Sequence, residues 1–160
     1  MCDYSLYATP NRLAEDGEEL VLYRFGTGSM GFASALDLEM QETQAQREGF
    51  WTAVKALFSP RRCEGVTAVC IPPGSRLRLT ETPKDLQTRL RIGATEVVSF
   101  TEISAWSYSY RDALVLSNGR CVLLQDLPEG LRASVLSLSP ETPEIEEAYL
   151  DARVASTTAR

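Results

Sequence analysis

The sequence predicts a mainly β fold, α+β by content: a small antiparallel β-barrel or two-layer sandwich of about seven short strands, with one principal helix and one or two short helices. Three observations carry this expectation. Strand-length apolar runs recur along the chain with turn residues between them. Two of these runs, ALVL and RCVLL, are joined by Asn118-Gly119, the pair preferred in a two-residue type I′ hairpin. The clearest repeat of apolar residues at helical spacing is confined to one region, around Phe50, Trp51, Val54, Leu57 and Phe58.

Taken in order, EELVLYRF is β-prone and follows the turn-like Glu15-Asp16-Gly17. The stretch FGTGSMGFAS matches a G-x-G-x-x-G fingerprint at Gly26, Gly28 and Gly31. No helix, second strand and acidic residue follow in dinucleotide-binding order, so a flexible turn is the expectation there. Residues 37 to 58 hold the clearest helix. Its stripe should cover a barrel or sheet, with Ser59-Pro60 as the stop. The first half, LEMQETQAQREG, is polar enough to read as a loop or a solvated extension, which sets the helix at about 44–58.

VTAVCIPPGSRLRLTE predicts a hairpin turning at Pro73-Gly74, with Arg76, Arg78 and Thr80 alternating against Leu77 and Leu79. In TPKDLQTRL, Thr82 is placed as N-cap, Pro83 at the first helical position and Asp85 as the return partner of a capping box. TEVVSFTEI and RASVLSL are further strands. Residues 1–140 are thus expected to form a single β-rich domain, and residues 141–160 a short helix around Ile145, Ala148 and Tyr149 with a frayed tail.

Composition narrows the chemistry. A chain of 160 residues, 44% of them hydrophobic, can bury a sizeable core. Its apolar runs fall far short of a membrane helix, and with no basic-then-apolar start the expectation is a cytoplasmic, unexported protein. Free thiols at Cys2, Cys63, Cys70 and Cys121 follow from a reducing compartment, with Cys70 and Cys121 as small hydrophobes in strands. The chain has no histidine, the commonest general base and metal ligand, and no C-x2-C pair. No metal and no cofactor are implied.

The net charge of −6 makes nucleic acid an unlikely partner. Residues 61 to 91, however, hold Arg61, Arg62, Arg76, Arg78, Lys84, Arg89 and Arg91 against Glu64, Glu81 and Asp85, a local +4. Arginine binds carboxylate and phosphate bidentately, so Arg76, Arg78, Arg89 and Arg91 are candidate anion ligands. Solvated arginines on an outer face are the alternative.

The stretch SAWSYSYRDA places Trp106, Tyr108 and Tyr110 on one face of an extended segment, beside Arg111 and Asp112. Such a row either stacks on a ligand, with Arg111 and Asp112 as polar anchors, or faces the core. At the start of MCDYSL, removal of Met1 would expose Cys2 with a free α-amine, the arrangement of an N-terminal nucleophile. Asp3 would raise the Cys2 thiol pKa, against activation. The favoured function is a non-catalytic domain that binds an unknown small molecule or protein. The alternatives are a cysteine-dependent hydrolase or transferase built on Cys2 and Asp3, assisted by Tyr4 or Asn11, and anion or nucleic-acid binding through residues 61–91.

The strings MCDYSL, PNRLA, FWTAVKALF, AVCIPPGSRL, YSYRDA, SNGR and EGLRASVLSL together resemble an uncharacterised bacterial protein family whose members open with MCDYSL. The resemblance spans roughly residues 1 to 138. It implies a bacterial origin and no particular activity.

Overall fold

A computed structural model describes residues 6, 9–47, 66–103 and 110–138. The strands are β1 (Asn11–Leu13), β2 (Glu19–Arg24), β3 (Met30–Ser34), β4 (Ala68–Cys70), β5 (Arg76–Thr80), β6 (Glu96–Glu102), β7 (Asp112–Val115), β8 (Cys121–Leu123) and β9 (Arg132–Ser137). Two helices, α1 (Ala35–Arg47) and α2 (Lys84–Leu90), and a 3-10 turn at Leu124–Asp126 complete the described elements. All nine strands belong to one sheet, in the order β1-β4-β3-β2-β9-β5-β6-β7-β8. The mainly β expectation holds. The barrel does not, because the sheet has two ends, β1 and β8, that do not pair with each other.

The sheet curls instead. Alternation along each strand sends one set of residues inward: Leu20 and Leu22 on β2, Leu77 and Leu79 on β5, Val98 and Phe100 on β6, Leu114 on β7 and Val135 on β9, all within 2% of full burial. The register keeps them in contact, with Leu77 opposite both Val98 and Val135, and Phe100 opposite Leu114. The 3-10 turn after β8 then reaches back to β3, where the Gln125 side-chain carbonyl accepts the Met30 N–H at 3.0 Å. A second, smaller cluster on the far side of β3 and β4 joins Leu6, Phe25, Ala33, Val66 and Ala68, with Leu38 of α1 packed against it.

Three local expectations change. The Asn118-Gly119 turn does join β7 to β8, but it is a three-residue loop: Gly119 N–H donates to Leu116 O, and Leu116 N–H donates to Arg120 O. Type I′ needs positive φ at both central residues, and here Gly119 has it (φ 78) while Asn118 does not. The same geometry closes β2 to β3 around Gly28 (φ 84), so the glycine-rich stretch is a hairpin turn running into a buried strand. Pro72-Pro73-Gly74-Ser75 is a turn with Gly74 at φ 89, yet β4 pairs with β1 and β3 whereas β5 pairs with β6 and β9. The turn chemistry was local and legible; the strand partners are set by the distant apolar faces.

Both helices begin elsewhere than expected. α1 starts at Ala35, directly after β3, because the polar half is rich in good helix formers and Leu38 gives it a packing contact. The aromatic stripe from Phe50 to Phe58 lies outside the described residues, as do the segment 141–160 and its expected helix. In α2 the N-cap position is Pro83 with no side-chain cap, and the buried Thr82 hydroxyl has no partner among the described residues. The chain leaves α2 through Arg91 in the left-handed region at φ 60.

Gly31 shows how tightly the second cluster closes. A Cβ there would stand 3.0 Å from Leu6 Cδ1 and 3.2 Å from Phe25 Cε2, both on buried side chains. Gly31→Ala is therefore expected to lower stability by about 1–3 kcal/mol through overpacking, read as a lower urea midpoint. An unchanged midpoint would show that Leu6 and Phe25 can step aside.

Candidate functional site

The far end of the sheet collects the polar chemistry. β6 and β7 pair so that Glu102 lies opposite Asp112, and beyond them Ile103 N–H donates to Arg111 O at 3.0 Å. This register folds Arg111 back onto Glu102, with Nη2 to Oε2 at 2.7 Å. Arg111 Nε is buried with no hydrogen-bond partner among the described residues. Burial, and after it the nearby Glu102 charge, pushes the Asp112 carboxyl above its usual range. Tyr110 stands half-exposed at the same corner. Of the aromatic row, Trp106 and Tyr108 lie outside the described residues, so their expected face is not placed.

Alongside this corner runs an open groove of about 480 Å³. Ile103, Cys121 and Val122 line it together with Arg89, Arg120 and Asp126. Ile103 is 52% exposed, an unusual position for so large an apolar side chain. The two arginines are tethered by backbone carbonyls: Arg89 Nη2 donates to Asp126 O at 3.1 Å, and Arg120 Nη1 donates to Arg89 O at 2.9 Å. Neither pairs with a carboxylate among the described residues. Asn118 Nδ2 donates to Leu90 O at 2.9 Å, which ties the β7–β8 turn to the end of α2.

The arginine candidates separate. Arg76 and Arg78 alternate with the buried Leu77 and Leu79 and so point from the outer face of the sheet. Arg89 belongs to α2, whose Leu86 and Leu90 pack into the inner core. Arg91 serves as the backbone cap of that helix. Four arginines on one anion-binding face is therefore not what the fold builds; Arg89 alone of them reaches the groove. Its companion is Arg120, which the sequence places only as the first residue of the strand run RCVLL. Glu102 and Ile103 were passed over, although a signal existed in the charges that bracket SAWSYSY, Glu102 before it and Arg111 after it.

Cys2, Asp3 and Tyr4 lie outside the described residues, and Asn11 is an exposed residue of β1 whose side chain donates to Thr9 O. A second groove, of about 410 Å³, lies between β1, the loop before β2 and the start of α1, and is strongly acidic. Within it Arg12 forms a bidentate pair with Glu18. Burial pushes the Glu18 carboxyl up, but the Arg12 guanidinium, the Glu15 N–H and the Ser34 hydroxyl outweigh it and hold the group below its usual range. No cluster able to hold a metal ion occurs among the described residues.

The cysteines depart from expectation. Cys121 is free and exposed, not a buried hydrophobe, because it sits on the outermost strand. Cys70 is disulfide-bonded. Since the chain has four cysteines, the denatured, unreduced protein is expected to titrate two thiols and the reduced protein four. Four before reduction would remove the disulfide. No helix among the described residues is long and apolar enough to cross a membrane. The chain matches no protein-family model, no curated protein and no solved structure.

Proposed function

We propose that the chain is a non-catalytic binding domain whose binding face is the groove beside β8, with Tyr110 and Arg111 at its neighbouring corner. The observation that supports this reading is the combination in one open groove of an exposed isoleucine and two guanidinium groups without carboxylate partners among the described residues. An apolar contact supplies binding energy and a few placed polar groups supply orientation, the usual division of labour in a ligand site. The arginines are already held by backbone carbonyls, so little side-chain entropy is lost when an anion arrives. A cytoplasmic location, expected from the sequence, sits poorly with a disulfide at Cys70.

Cys121 gives a direct test, because its exposed thiol lines the groove. Compounds and short peptides are screened for slowing of iodoacetamide labelling at Cys121, and hits are mapped by amide shifts in labelled protein. Ligands that protect Cys121 and shift Ile103 and Arg120 support the reading. Hits whose shifts map away from the groove, or a broad screen with no protection, overturn it.

A further inference from the structure

Resting on that reading of the groove, we infer that its occupant is an acidic, extended segment of a partner protein, added to the sheet as a further strand along β8. β8 is the last strand of the sheet, with β7 as its neighbour and no partner on its other side among the described residues. Antiparallel pairs alternate between bonded and non-bonded positions. Leu116 N–H bonds Arg120 O, so the next bonded pair is Leu114 with Val122. Cys121 and Leu123 therefore turn their N–H and C=O groups away from β7, toward the open side. These are the groups that an added strand takes up.

The side chains around that edge select the sign of the guest. Arg89 and Arg120 flank it, while the chain as a whole carries 22 acidic residues against 16 basic ones. Against the one carboxylate of the groove, Asp126, the two arginines leave a net positive charge in an otherwise acidic protein, and, bonded to carbonyls and paired with no described carboxylate, they are complementary to carboxylates brought from outside. A strand laid along β8 places alternate side chains on each face. A segment of alternating acidic and apolar residues can then set carboxylates at the arginines and an apolar residue over Ile103. The short edge offers few backbone bonds, so binding is weak and depends on charge.

The probe is the capped hexapeptide Glu-Val-Glu-Val-Glu-Val, titrated into isotopically labelled full-length protein at low and high salt. Expected are saturable shifts and slowed exchange at the Cys121 and Leu123 amides, with protection of the Cys121 thiol. The Arg89→Gln/Arg120→Gln double variant should weaken the peptide about three- to tenfold, since each exposed charge pair contributes only modestly. Arg76→Gln/Arg78→Gln should leave it unchanged. Equal binding by a Lys-Val counterpart, or by a peptide with proline in place of the central valine, overturns the inference. So does slowed exchange at Cys121 and Leu123 that grows with protein concentration alone, which identifies a second copy as the occupant. If the hexapeptide fails while other ligands protect Cys121, the strand-addition inference falls and the binding face remains.

Discussion

Leu77→Ala is expected to lower the unfolding free energy by about 2–5 kcal/mol, a substantial fraction of the total stability of a domain this size. Leu77 is fully buried at the middle of the sheet, opposite Val98 on β6 and Val135 on β9. Truncation removes its apolar contacts and leaves a cavity that neither neighbouring strand can fill without breaking register, because a strand moves its side chains only in steps of two. The adjacent Arg78→Ala, on the exposed face of the same strand, should change stability by less than about 0.5 kcal/mol. Urea unfolding of both variants reads the difference as a shift in midpoint at constant slope. Comparable losses at the two positions would mean that the outer face of β5 is covered as well, and that the curled sheet has the wrong face inward.

The contrast between these neighbouring residues was legible in RLRLT, as was much of the local structure. Alternation identified β5, and Gly74 and Gly119 marked turns that do form. Pairing was not legible. The run before Pro73-Gly74 looked like the hairpin partner of the run after it, but β4 holds Val69 opposite Phe32 and β5 lies four strands away in the sheet order. Which strand pairs with which depends on how apolar faces from residues a hundred positions apart close on one core, and a short window holds no record of that. The site divides in the same way. Arg111 and Asp112 could be named from their place beside the aromatic row, and the structure adds that Arg111 closes on Glu102. Arg120, Cys121 and Ile103 come together through the pairing of β6, β7 and β8, and Arg89 joins them where Asn118 ties the hairpin turn to α2, a contact between residues 28 apart.

Removing the guanidinium at the sheet's far corner should make stability more dependent on pH. Arg111→Met removes the guanidinium that bonds Glu102 and leaves Glu102 and Asp112 opposite each other across β6 and β7. The expected loss near neutral pH is about 1 kcal/mol, the loss of one charge-assisted hydrogen bond to a partly buried carboxylate, discounted because Arg111 is more than a third exposed. The sign follows from Asp112. Its carboxyl in the folded protein already titrates above the usual range, from burial first and the Glu102 charge after it. A raised folded pKa means that the proton favours the folded state: this contribution is full below the unfolded pKa and is lost as pH rises through the folded one. Without Arg111 the upward push grows, so the gap between variant and wild type should be widest near neutrality and close as the solution is taken below about pH 4, where the unfolded carboxyl is also protonated. Adding Glu102→Gln to Arg111→Met removes one of the two facing charges and should recover part of the loss, a coupling that a double-mutant cycle reads directly. A gap that stays constant with pH, or a Glu102→Gln change that adds to the loss instead of relieving it, would mean that Arg111 acts there through packing of its stem alone.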